Sequence, residues 1–113
     1  MKKIYNMDHV TKLNFYPSVV IGRISEFICI LNYNYGCKRD VYKDLGGYAL
    51  ILEDENDVEE IKKNILKGII PEYIDNIECE EGKRYCLSLF LLSSDYAVIV
   101  VATKELMDIL IEE

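Results

Sequence analysis

Two adjacent apolar stretches, RYCLSLFLL (84–92) and YAVIVVA (96–102), place the tightest constraint on what this chain can fold into. Both are rich in the branched and aromatic side chains that suit a pleated surface, and only Ser93, Ser94 and Asp95 separate them. So short a link makes the two strands antiparallel neighbours. In the first, Tyr85, Leu87, Leu89 and Leu91 alternate with Cys86, Ser88, Phe90 and Leu92, so neither face is polar. Such a sheet needs cover on both sides, from helices of its own chain or, on one side, from a second protein.

Periodicity elsewhere supplies candidate covers. From Ser18, a plausible N-cap, Val20, Ile21, Ile24, Phe27, Ile28 and Leu31 recur at helical spacing until Gly36. The polar stretch CKRDVYKDLGG (37–47) reads as one or two helical turns closed by Gly46 and Gly47. YALIL (48–52) is a short buried strand. In the acidic run LEDENDVEE (52–60), Asp57 and Glu60 form a capping-box pattern for a helix carrying Val58, Ile61, Ile65 and Leu66 on one face, with Gly68 just beyond its end. Acids first and lysines last complement the helix dipole. Glu53, Asp54 and Glu55 precede that helix and have no such local explanation. EYIDNIEC (72–79) alternates, with Tyr73, Asp75, Ile77 and Cys79 on one side. Thr103 can cap a last helix that turns Leu106, Met107, Leu110 and Ile111 toward the sheet. Residues 1–16 are ambiguous, with KLNFY (12–16) a candidate short strand ended by Pro17. The expected fold is α+β: an antiparallel sheet of about four strands packed with two to four helices, in a single layered domain spanning 1–113.

The chain shows no signal-peptide pattern, and its uncharged apolar run 85–94 is too short to span a bilayer. A cytoplasmic protein is expected. Cys29, Cys37, Cys79 and Cys86 match no zinc spacing and suit reduced thiols, although a disulfide between Cys79 and Cys86 across the hairpin stays open. No catalytic, cofactor or metal set is expected. His9 is the only histidine and nothing local pairs it with a nucleophile. DENDVEE lacks both the glycine and the third ligand of a calcium loop.

Charge is the most informative remaining feature. Net charge is −7, and residues 53–113 hold sixteen carboxylates against six basic residues. That excess repels nucleic acid and anionic membranes and attracts a basic protein. The candidate partner-binding residues are therefore Glu53, Asp54, Glu55, Glu78, Glu80 and Glu81, with Tyr33, Tyr35 and Tyr42 as amphipathic contact groups. Whether the two acidic clusters merge depends on the strand order.

This profile of small size, acidity, α+β pattern and missing catalytic motif, with the stretch LGGYALILEDENDVEE, resembles the small cytoplasmic immunity proteins of bacterial toxin–immunity systems of the contact-dependent inhibition type. The resemblance implies a non-catalytic inhibitor that neutralises a cognate toxin or enzyme with a basic surface. It transfers no residue-level site. The alternative is a small regulatory or ligand-binding α+β domain acting as a homodimer through an exposed sheet edge or apolar face.

Overall fold

The computed structural model describes residues 1–33, 46–79 and 82–112, with residues 30–33 described as backbone only. One five-stranded sheet organises them. Strands β1 (Lys2–Ile4), β2 (Gly46–Ile51), β3 (Tyr73–Glu78), β4 (Arg84–Ser93) and β5 (Tyr96–Thr103) lie in the order β1-β2-β5-β4-β3. The meander from β3 to β5 is antiparallel, as its short turns require. β2 enters beside β5 in parallel, from Gly46 opposite Tyr96 to Ile51 opposite Val101, and β1 closes that edge antiparallel to β2. The sheet is thus mixed and has one strand more than the four expected. The extra strand, β1, is only three residues long and owes its existence to pairing with β2.

The two apolar faces of β4 found in the sequence are both buried in the structure. On one side Leu87 and Leu89 join Ala49, Ile51, Ile99 and Val101 beneath α2 (Ser18–Tyr33) and the short α1 (Met7–Thr11). Val20, Ile24, Phe27 and Ile28, all from the helical repeat, are the residues α2 turns inward. On the other side Cys86, Phe90, Val98 and Val100 meet Val58 and Ile61 of α3 (Glu55–Ile61), and Met107 and Leu110 of α4 (Lys104–Ile111). Each fully buried Leu, Ile or Phe contributes about 1.5–3 kcal/mol, so each helical layer is held chiefly by its apolar stripe. Of the four residues assigned to the inner face of α4, Met107 and Leu110 are buried, while Leu106 is half-buried and Ile111 lies at the exposed margin.

Three local expectations change. Residues 12–16 form no strand; the N-terminal structure is β1 and α1, the latter capped by the Asn6 side chain, which accepts from the His9 N–H at 3.0 Å. The acidic helix begins at Glu55 and not after Asp57, because Asp54 is its cap. Its continuation, Lys62–Leu66, is π-helical, with the Lys67 N–H donating to the Lys62 carbonyl at 3.0 Å. The helical turn assigned to 37–47 falls largely on residues 37–45, outside the described residues.

Candidate functional site

β2 and β5 run the same way, so Glu53 and Thr103 leave the sheet at one end. Antiparallel pairing brings the start of β4 and the end of β3 to that same end, and Lys2 lies opposite Ile51 there. Side chains distant in sequence thus converge at the carboxyl end of the parallel pair, where loops and helix starts can vary without disturbing the core.

The acidic run is divided by this geometry. The Asp54 carboxylate accepts from the Asp57 N–H at 3.1 Å and caps α3. The largely buried Asp57 carboxylate accepts from the Glu53 N–H at 2.8 Å and stands 3.3 Å from the α-amino group of Met1. Glu53 approaches the same amino group at 3.4 Å. Burial alone would raise the Asp57 pKa, but the Glu53 and Asp54 amides and the amino group hold it below its ordinary 3.8. Burial would likewise lower the amino group's pKa, and the two carboxylates instead raise it above 8.0. Asp54 and Asp57 are therefore structural residues. Of the acids named for partner binding, Asp54 has a local duty, Glu53 shares an ion pair while half-exposed, and Glu55 is exposed. Glu60 is also exposed and Glu59 pairs with Lys63 at 3.7 Å.

Of the second acidic cluster only Glu78 is described, and it shares the sheet end with the first. Glu78, paired with Arg84 at 3.8 Å, lies on edge strand β3, three strand spacings or about 14 Å from Glu53. Between them opens a cleft of ≈ 510 Å³ lined by Lys83, Arg84, Tyr85, Lys104 and Glu105. Glu80, Glu81, Tyr35 and Tyr42 lie outside the described residues, and for Tyr33 only the backbone, at the end of α2, is described. Negative charge gathers instead on the helical layer formed by α3 and α4: residues 53–67 and 104–112 hold nine carboxylates against four lysines. The opposite layer, residues 6–33, holds two carboxylates against one lysine and one arginine.

Aromatic groups also meet at this end, though different ones from those expected. Tyr16 lies under the Lys2 ammonium, 5.3 Å from its ring centroid. Burial, then the charge of Glu53, then Tyr85 push the Tyr16 pKa up, and Tyr16 and Tyr85 pack against the same core cluster. Phe15, its chain neighbour, is 90% exposed, and Val19 on the next turn is also exposed. No local pattern joins residues 15–16, 53 and 85; the sheet order alone does so. A second row, Tyr5 stacked on Tyr48 at 5.0 Å and Tyr48 tilted against Tyr96 at 6.1 Å, crosses three strands at the other end.

The chemistry-bearing residues are dispersed. His9 accepts the Tyr5 N–H on Nδ1 at 3.0 Å, which orients the ring within its own turn. The Cys86 thiol donates to Asn76 Oδ1 at 3.1 Å, and burial pushes its pKa up. Cys79 packs on the α2 face and Cys86 on the α4 face, so the open question of a hairpin disulfide is answered against it: both are free thiols on opposite sides of the sheet. Among the described residues no group of three or more His, Cys, Asp or Glu side chains is placed to hold a metal ion, and no helix is long and apolar enough to cross a membrane. Compared with known proteins, the chain matches no family model, no curated protein and no solved structure.

Proposed function

We propose that this chain is a non-catalytic, immunity-type inhibitor that acts in the cytoplasm by binding a basic toxin or enzyme. The reading rests on one observation: Phe15, 90% exposed, adjoins Tyr16, which lies under Lys2 at the sheet end from which Glu53 leads into the acidic α3–α4 layer. An exposed aromatic adds nothing to the stability of the free protein, yet about 2 kcal/mol becomes available when a partner pocket covers it. Glu53, Glu55 and Glu60 supply the complementary field, which speeds encounter with a basic surface and disfavours anionic ones. Tyr16 and Tyr85, half-buried beside them, take the contact role assigned in the sequence to Tyr33, Tyr35 and Tyr42.

The test is capture of the partner from the source cell by the wild-type chain and by F15S and E55K variants, followed by association kinetics with the captured protein. Both side chains are exposed, so each variant keeps its fold. The proposal expects F15S to dissociate at least tenfold faster, and E55K to associate more slowly, with a weaker dependence on salt. Equal kinetics for all three proteins would remove this surface from consideration.

A further inference from the structure

The two sides of the sheet are covered unequally at edge strand β3. On one side α2 reaches it: Tyr73 packs on Phe27 with ring centroids 6.5 Å apart, and Asp75 pairs with Arg23. On the other side α4 packs on β5 and β4. β3 turns Ile74 and Asn76 to that second side. Ile74 stands opposite Ser88, whose hydroxyl lies 3.4 Å from the Met107 sulfur of α4, and Asn76 accepts from the Cys86 thiol. Both remain exposed, Ile74 at 40%.

This open strip adjoins an apolar cleft of ≈ 320 Å³ between the π-helical segment and the last turn of α4. Leu66 and Ile69 form one wall, Leu110 and Ile111 the other, and Phe90 of β4 is part of the lining. Ile70, 74% exposed, lines it too. The dimensions fit one more helix. The six residues of β3 span about 20 Å, the length of a helix of about 13 residues. β3 lies one to two strand spacings, about 5–10 Å, from the strands beneath α4, which matches the separation of about 8–10 Å between packed helices.

Charge decides what kind of helix. The nine carboxylates and four lysines of the α3–α4 layer are joined at this strip by Glu72 and Glu78, with no further lysine. Glu72 and Glu112 are exposed at the two sides of the cleft and make no ion pair with a described residue. Lys62 is the one cation among the described residues lining the cleft, and its ammonium rests 3.4 Å from the Glu112 carbonyl. A helix with an apolar stripe and Lys or Arg flanks satisfies both the groove and the field. An acidic helix, or a second copy bearing the same acidic layer, meets repulsion.

We propose that the lane between α4 and the open face of β3 receives a basic amphipathic helix of the protein partner, its apolar stripe on Ile74 and in the cleft and its cations toward Glu72 and Glu112. The inference rests on the reading of this chain as a binder of a basic protein and gives it a second contact surface, away from Phe15. The probe is a synthetic helical peptide of Leu and Lys, about 14 residues long, with a peptide of the same pattern carrying Glu for Lys as control. Amide chemical shifts provide the readout. The Lys peptide is expected to give saturable shifts confined to residues 62–74, 88–90 and 104–112, with affinity reduced roughly tenfold in I74S or E72K and for the Glu peptide. Ile74 and Glu72 are exposed, so both variants keep the fold. Absent or scattered shifts, equal binding of the two peptides, or unchanged binding in I74S overturns the proposal. So does sedimentation showing a wild-type dimer that I74S dissociates, because a second copy then occupies the lane. F15S separates the lane from the Phe15 corner. It should bind the Lys peptide as the wild type does, whereas loss of binding in F15S would place the peptide at the corner and overturn the lane.

Discussion

Asp57 joins the N-terminus, the end of β2 and the start of α3. It caps the amide of Glu53, receives the Met1 amino group, and is itself held by the cap of α3. D57A leaves a part-buried amide without its acceptor and the amino group with Glu53 alone, and should cost about 1–3 kcal/mol in urea unfolding. D54A removes one cap bond and should cost about 1 kcal/mol. The pH dependence has a defined sign. Asp57 is depressed in the folded state, so its contribution is present above the unfolded value near 3.8 and disappears as pH falls through the folded one. The amino group is raised, so its contribution is full below 8.0 and disappears as pH rises through its folded value. Urea midpoints of the wild type should therefore fall on both flanks, and D57N should flatten both. At Lys67 the left-handed backbone burdens a residue with a Cβ, whereas Gly68 adopts its own positive φ without that cost. K67G should stabilise by about 1 kcal/mol and G68A destabilise by a similar amount, read from thermal unfolding.

The elements divide by the range of the interactions that create them. α2, β2, β3, β4, β5 and α4 were legible because each carries its own periodicity, from the Val20–Ile28 repeat to the two-sided alternation of Tyr85–Leu92. β1 was not, since nothing in Lys2-Lys3-Ile4 marks a strand until Ile51, Leu50 and Ala49 stand opposite. The start of α3 was misplaced because Asp54 and Asp57 share the capping pattern also formed by Asp57 and Glu60; the amide of Glu53 decides between them. The parallel register of β2 on β5 joins residues fifty apart and leaves no local trace. For the same reason the meeting of Tyr16, Glu53 and Tyr85 could not be read ahead. Edge strand β3 shows how one element is protected: Asp75 faces inward and pairs with Arg23 of α2, a charge that discourages another strand from joining. D75V should cost only about 1 kcal/mol, because both partners are partly exposed, while raising the apparent molar mass above that of the wild type in light scattering at equal concentration.

For the whole molecule, order of assembly follows from topology. The β3–β4–β5 meander closes over short turns, whereas β1 and β2 join only after loops of about fifty residues have been closed. L89A in β4 should therefore slow folding, with a φ-value above about 0.5, and I4A in β1 should mainly speed unfolding, with a value below about 0.3. Stopped-flow chevrons of the two variants distinguish this order from its reverse. The positions of Cys79 and Cys86 on opposite faces have a practical use. A thiol reagent reaches the half-buried Cys79, on the α1–α2 side, from the folded state, and the buried Cys86 only when α4 lifts from the sheet. Peptide mapping of timed alkylation thus makes Cys86 a clock for the opening of the α3–α4 side, with Cys79 as its internal reference.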